Sequence, residues 1–216
     1  MRHLTLTQRI WKWLVERTRI EPILDTKITG RALNPMYCLG GLTFLFFFLL
    51  VITGVMLAVY YKPTPDSAYD SVQVITTNVK YGWLIRGIHF YSANGMIIAS
   101  VLHMLRVYFT GAYKKPRELN WIVGVGLGAL TIMAGFTGYV LRWDQEAVGA
   151  AGVGLGLADS IPQVGSTLTY LFWGSSYSDT LSRFFATHLL LLPGMLILLM
   201  ALHFWMIRRH RIAKPL

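Results

Sequence analysis

The fold is decided by GIHFYSANGMIIASVLHML (Gly87–Leu105), a run of 19 residues without a charged side chain. It carries one histidine near each end, His89 and His103. A second run, FFATHLLLLPGMLILLMALHFWMI (Phe184–Ile207), is 24 residues long and again carries two histidines. Both runs provide the roughly 20 residues that a helix needs to cross the hydrocarbon of a bilayer.

Two further charge-free runs of 23 residues each, Leu39–Tyr61 and Leu119–Leu141, meet the same criterion. With 54% hydrophobic and 14% charged residues, the chain does not have the composition of an ordinary soluble domain, in which about 25% of residues are charged. The sequence predicts an all-α membrane protein. We expect a four-transmembrane-helix bundle that forms a single membrane domain over residues 1–216.

The segments outside the spans carry weaker signals. RIWKWLVERTR (Arg9–Arg19) has one apolar face among basic residues, which predicts an interfacial helix before the first span. Gly149–Gly156 contains four glycines and predicts a loop. Ser160–Ser178 is uncharged but contains Pro162 and several polar residues, which predicts short surface helices between the third and fourth spans.

The basic residues predict how the chain is oriented. The net charge is +10, and 15 of the 20 Lys and Arg lie before the first span, between the second and third spans, or after the fourth. This asymmetry predicts that both termini are cytoplasmic, on the n-side of the membrane. It also explains the net charge without nucleic acid binding. The single cysteine excludes an internal disulfide framework, a CxxC pair and a thiolate zinc site.

Four of the six histidines lie inside spans, where ionisable residues are costly and indicate function. His89 and His103 are 14 residues apart, and His188 and His203 are 15 apart. At about 100° per residue, His103 lies within about 40° of the helix face that carries His89, and His203 lies within about 60° of the face that carries His188. At 1.5 Å per residue, the members of the two pairs are about 21 and 22.5 Å apart along the helix axis. The second and fourth spans run parallel, so equal depth pairs His89 with His188 and His103 with His203.

Two levels of paired imidazoles fit two bis-histidine haems. Zinc or copper fits less well, because each level offers two ligands and no nearby Cys, Asp or Glu. A proton relay needs no paired levels, and a single buried histidine would more often be a hydrogen-bonded core residue. His3 and His210 lie in basic flanks and are predicted to be solvated.

Glycines in the other two spans have a similar spacing. Gly40 and Gly54 in the first span are 14 residues apart, as are Gly124 and Gly138 in the third. Bare backbone would let a flat macrocycle approach at two levels. Close helix–helix packing explains such glycines equally well.

Six motifs resemble the cytochrome b6 subunit of cytochrome b6f-type (Rieske/cytochrome b) complexes, and together they extend over nearly the whole chain. The 15-residue histidine spacing in the fourth span and the short length also resemble this branch. The motifs are YCLGG (Tyr37–Gly41), RGIHFYSA (Arg86–Ala93), LHMLRVYFTGAYKKPREL (Leu102–Leu119), GFTGYVLRWDQ (Gly135–Gln145), LSRFFATH (Leu181–His188) and HFWMIRR (His203–Arg209).

The resemblance implies an electron-transfer subunit of a membrane quinol:acceptor oxidoreductase, not active alone, in a bacterial cytoplasmic membrane or a thylakoid. His89 and His188 would bind an outer, lower-potential haem b, and His103 and His203 an inner one. Quinol would be the substrate. Expected partners are a subunit IV-like C-terminal half of cytochrome b, a Rieske iron–sulfur protein and a cytochrome subunit, in a homodimeric complex in contact with lipid and quinone.

The resemblance also assigns residues outside the spans. Cys38 lies where this family attaches a third haem, a haem c, by a single thioether. Arginines near the two histidine levels are candidate partners for haem propionates, although they also mark topology. One departure is Arg142, which stands where the family has proline, next to the expected outer quinol site; the PEWY motif of that site is absent. The candidate arginines are Arg86, Arg106, Arg117, Arg183 and Arg208.

Two other functions remain compatible with the residues. The first is a dihaem b membrane anchor that links the quinol pool to a peripheral respiratory reductase without a Rieske partner. The second is a small channel or transporter without haem. A reduced-minus-oxidised spectrum distinguishes the channel from the other two, and the co-purifying subunits distinguish those two from each other.

Overall fold

The computed structural model describes Thr7, residues 35–174 and residues 176–210. Every regular element in these ranges is helical. A π-helical turn, Thr187–Leu191, joins the last two α-helices. The α-helices are α1 (Pro35–Ala58), α2 (Ala68–Thr77), α3 (Gly82–Phe109), α4 (Glu118–Val140), α5 (Gln145–Asp159), α6 (Gly165–Trp173), α7 (Tyr177–Ala186) and α8 (Leu192–His210).

In the described part of the chain, four segments are long and apolar enough to cross a membrane. They are Cys38–Ala58 in α1, Gly82–Phe109 in α3, Glu118–Val140 in α4, and Asp179–His210, which runs from α7 through the π turn into α8. The predicted four-span, all-α architecture is confirmed. The expected interfacial helix at Arg9–Arg19 lies outside the described residues.

The chain divides by its internal contacts into Met1–Cys38 and Leu39–Leu216. In the second unit, α4 packs against both α3 and α8. Each of the four long helices contributes to one buried apolar cluster: Phe47 comes from α1, Met96 from α3, Leu130 from α4, and Leu192 and Leu196 from α8. This cluster separates the two ends of the bundle.

The bundle presents apolar side chains outward as well as inward. Phe48 in α1, Leu190 in the π turn and Leu198 in α8 are between 53% and 72% exposed. In water such a surface would be unfavourable, whereas lipid tails solvate it without cost. A helix bonds its backbone polar groups internally, which makes it suited to the bilayer core. The chain is therefore an integral membrane protein.

The connection between the third and fourth spans differs in part from expectation. Gly149–Gly156, predicted as a loop, is part of α5, so that prediction is wrong. Asp144 caps this helix by accepting a hydrogen bond from the amide of Ala147 at 2.8 Å, which offsets the conformational freedom of the glycines. The predicted short helices within Ser160–Ser178 are confirmed by α6 and the start of α7. Helix α2 was not predicted.

Close packing of α2 on the start of α3 depends on Gly82. A Cβ at this position would lie 1.9 Å from the carbonyl oxygen of Ile75 in α2, whereas a Cβ at Gly87, further along α3, would meet nothing within 4 Å. We predict that Gly82→Ala destabilises the folded protein by about 1–3 kcal/mol through overpacking. Gly87→Ala should leave stability unchanged or slightly raised. Thermal melts of both variants in detergent measure the difference, and equal melting temperatures would contradict it.

Candidate functional site

The clearest feature of the bundle is a pair of imidazoles that face each other between α3 and the π turn. The ring centroids of His89 and His188 are 6.4 Å apart, and the ring planes are inclined at 68°. Both side chains are half-buried. The structure thus brings together the two histidines that the equal-depth argument pairs.

The second pair lies towards the other end of the same two long segments. His103 in α3 and His203 in α8 are both half-buried. The Nδ1 atom of His203 is buried near the backbone of Asn120 but does not reach hydrogen-bond geometry. Histidines therefore occupy two levels, as the sequence predicts.

Each histidine packs against one of the four glycines singled out from the sequence. A Cβ on Gly40 would lie 3.2 Å from Cε1 of His103, and a Cβ on Gly54 would lie 3.3 Å from Cε1 of His89. Across the bundle, Gly124 and Gly138 in α4 have the same relation to the histidines of the fourth span. Their Cβ atoms would lie 3.5 Å from Cε1 of His203 and 2.7 Å from Cε1 of His188. Larger side chains would occupy the space of the rings.

Two threonines that the sequence did not single out contact the first pair. The hydroxyl oxygen of Thr53 lies 2.8 Å from Nδ1 of His89, and that of Thr137 lies 3.0 Å from Nδ1 of His188. Each threonine directly precedes one of the glycines, so a Thr-Gly dipeptide occurs in both helices. That repeat was a signal in the sequence, but one with little weight, since threonine in a membrane helix commonly bonds to its own backbone.

The π turn explains why the two histidine spacings differ. The N–H of Leu192 bonds to the carbonyl of Thr187, five residues back, so this turn takes up one residue more than an α-turn. Pro193 follows and has no N–H to donate, which interrupts the regular ladder at this point. The 15-residue spacing of His188 and His203 therefore behaves as a 14-residue α-helical spacing, matching that of His89 and His103.

The imidazole nitrogens of the paired histidines fit a haem better than a bare metal ion. An iron held by two imidazole nitrogens at about 2 Å each places the ring centres roughly 6 Å apart, close to the 6.4 Å between His89 and His188. Within residues 35–174 and 176–210, no three His, Cys, Asp or Glu residues cluster so that they could hold an ion. A porphyrin needs only the two axial ligands, because it supplies the other four itself.

The candidate arginines lie at the ends of the long helices, where several of them bond to the chain itself. Arg86 donates to the hydroxyl of Thr76 at 3.2 Å, and Arg117 to the carbonyl of His210 at 3.4 Å. Arg183 donates to the carbonyls of Tyr170 and Leu171 and thereby closes the C-terminus of α6. Arg106 and Arg208 lie in the last turns of α3 and α8.

Arg142 forms a local charged cluster at the corner between α4 and α5. It pairs with Asp144 at 2.8 Å and Glu146 at 3.2 Å, and its guanidinium lies 4.5 Å from the ring centroid of Tyr139. Burial alone would lower the pKa of Arg142, but the hydrogen bonds and charges of these neighbours raise it. The positive charge that Arg142 adds, where the family has proline, is thus balanced by the carboxylates of Asp144 and Glu146.

An apolar four-span bundle with one histidine pair towards each end has the architecture of a membrane cytochrome. The family model described as cytochrome b/b6/petB matches residues 24–211. The chain therefore belongs to the cytochrome b/b6 family, whose members carry haem b. As such it is an electron-transfer subunit of a multi-subunit quinol oxidoreductase.

Individual relatives agree with this assignment. The chain is 43% identical over 213 residues to cytochrome b6 of Acaryochloris marina and to that of Porphyra purpurea, covering 96% of this chain and 99% of each relative. Among solved structures it is similar to a chain of a hyperthermophilic respiratory complex III, with a TM-score of 0.78 and 31% identity. That match covers 94% of this chain and 56% of the other.

The π turn provides a test of the register. Deleting Leu190 should turn it into an α-turn and keep both histidine pairs opposed, so the b-type haem content per chain should stay near that of the unmodified protein. Inserting one alanine after Leu190 is the matched control. It should rotate α8 by about 100° and reduce the haem content by at least one per chain. Pyridine haemochrome spectra measure both; equal haem content in the two variants would contradict the register.

Proposed function

We propose that the chain is a dihaem subunit that carries electrons between a quinol site on the outer face of the membrane and a quinone site on the inner face. The observation that carries the proposal is the opposed pair His89 and His188, 6.4 Å apart, with a glycine behind each ring. The second histidine pair, near the opposite end of the same segments, supports a second haem. The similarity to cytochrome b6 proteins supports the same assignment.

In this proposal His89 and His188 hold the outer haem b, and His103 and His203 hold the inner one. The bound groups supply one-electron redox chemistry. The chain's own contribution is to fix the imidazoles, to leave space at four glycines, and to exclude water with the apolar cluster around Met96 between the two levels. Low dielectric and axial ligation then determine each potential.

The chain does not carry everything that quinol oxidation needs. Its sequence contains neither PEWY nor a cysteine pattern for an iron–sulfur cluster. We therefore assign these parts to a subunit IV-like partner and a Rieske protein, with a further cytochrome subunit as electron acceptor. The excess of Lys and Arg places both termini on the n-side in this proposal.

Cys38 is proposed to hold a third haem by a single thioether. It is exposed and lies in the first turns of α1, two residues before Gly40. With both termini on the n-side, the start of α1 is also on that side. The ends of α3 and α8 that carry His103 and His203 are on the n-side as well. The YCLGG motif around Cys38 supports the attachment, and no further histidine lies in the spans to act as an axial ligand.

The histidine pairing predicts which substitutions act together. Replacing His89 or His188 by alanine should remove the same haem, and replacing His103 or His203 should remove the other. Each variant should lose one of two b-type haems, roughly half of the absorbance. Redox-resolved difference spectra identify the missing component. If His89 and His203 substitutions abolish the same component, the assignment is wrong.

The covalent haem predicts a denaturation-resistant signal. A thioether survives denaturing gels whereas histidine ligation does not, so a haem-dependent peroxidase stain should appear at the mass of this chain, 24.4 kDa before the haem is added. Cys38→Ser should abolish the stain and retain both b-type haems. His103→Ala serves as the control, because it should lose a b-type haem and keep the stain. A stain that persists in Cys38→Ser would show that this cysteine carries no haem.

A further inference from the structure

The two histidine levels differ in what contacts the far nitrogen of each ring. At the level of His89 and His188, both Nδ1 atoms lie within hydrogen-bond distance of a threonine hydroxyl. At the other level the residues preceding the glycines are Leu39 and Val123, which have no hydroxyl. In the part of the chain that the structure describes, no side-chain hydroxyl hydrogen-bonds to Nδ1 of His203. Glycines therefore pack against the histidines at both levels, whereas threonine hydroxyls contact them at the level of His89 and His188.

The direction of the threonine hydrogen bonds follows from the second partner of each hydroxyl. The oxygen of Thr53 lies 2.6 Å from the carbonyl oxygen of Leu49, and that of Thr137 lies 3.0 Å from the carbonyl oxygen of Met133. Two oxygens at such distances need a proton between them, and a carbonyl can only accept. Each hydroxyl therefore donates to its own helix and accepts from the imidazole.

This direction fixes the tautomer of both rings. If Thr53 accepts, the proton of His89 is on Nδ1, and the lone pair of Nε2 is available to a metal. The same holds for His188 with Thr137. A hydrogen bond donated by the far nitrogen also makes a metal-binding imidazole more basic. A more basic axial ligand stabilises the more positively charged, ferric state of an iron centre.

We propose that Thr53 and Thr137 are positioning residues that lower the midpoint potential of the haem at His89 and His188 relative to the other haem. This inference rests on the proposed dihaem function. It assigns the difference in potential between the two levels to two hydroxyl groups in α1 and α4.

The test is a redox titration of the intact complex with Thr53→Val and Thr137→Val, since valine keeps the shape and removes the hydroxyl. Altering such a hydrogen-bonding partner of a ligand changes metal affinity by about 10–100-fold. We expect each variant to shift the ferric-to-ferrous preference at this level about tenfold, which is about 59 mV upward for one electron. The double variant should shift further, and the haem at His103 and His203 should be unaffected.

Matched controls exist in both helices. Thr43 in α1 and Thr131 in α4 bond to carbonyls of their own helices, Leu39 and Leu127, and have no histidine contact in the described structure. Thr43→Val and Thr131→Val should leave both potentials unchanged. Thr53→Ser and Thr137→Ser retain the hydroxyl and should restore the original potential.

The outcomes separate this inference from the function on which it rests. Two haems whose potentials are unchanged in both valine variants, or that shift equally, would overturn the role of the threonines and leave the dihaem function standing. Selective loss of the haem at His89 and His188, restored by serine, would support the role, because the wrong tautomer cannot bind iron through Nε2. Loss of haem to the same extent in the Thr43 and Thr131 controls would contradict it. If alanine at His89 removes no haem, the proposed function itself fails.

Discussion

An imidazole ring among membrane-crossing helices must satisfy two nitrogens where water is scarce, and this constraint governs the rest of the structure. At the level of His89 and His188, each Nδ1 has a threonine hydroxyl and the two rings face each other across 6.4 Å. A polar group at this depth is costly unless it is engaged. In the proposed dihaem arrangement, the two Nε2 atoms would be engaged by the haem iron.

The helices are adapted to this pairing in two ways. Glycines remove side chains where the rings lie, so that α1 and α4 can approach α3 and α8. The π turn before Pro193 takes up one residue, so that His203 lies on the same face as His188 despite the longer spacing. Both features cost helix stability, since glycine and interrupted hydrogen bonding weaken an α-helix. Both features lie next to the histidines, where they leave space for the rings and keep the two pairs in register.

The sequence predicted those parts of the molecule that follow from periodicity. Long runs without charged residues indicated the four spans, and the equal depth of the histidines in the parallel second and fourth spans paired His89 with His188. It did not predict Thr53 and Thr137, because which hydroxyl faces which ring depends on the packing of separate helices. Helix α5 was missed for a different reason, since its four glycines predicted a loop and the N-cap at Asp144 was not recognised in the sequence. The π turn had a trace in the sequence, the single extra residue between the histidines of the fourth span.

The most direct test of this account is an experimental density map of the intact complex at a resolution that orients imidazole rings. The account predicts one tetrapyrrole whose iron lies between the Nε2 atoms of His89 and His188, and a second between those of His103 and His203. It also predicts that Nδ1 of His89 stays within hydrogen-bond distance of the Thr53 hydroxyl. A tetrapyrrole joining His89 to His203, or rings turned so that Nδ1 faces the iron, would contradict it.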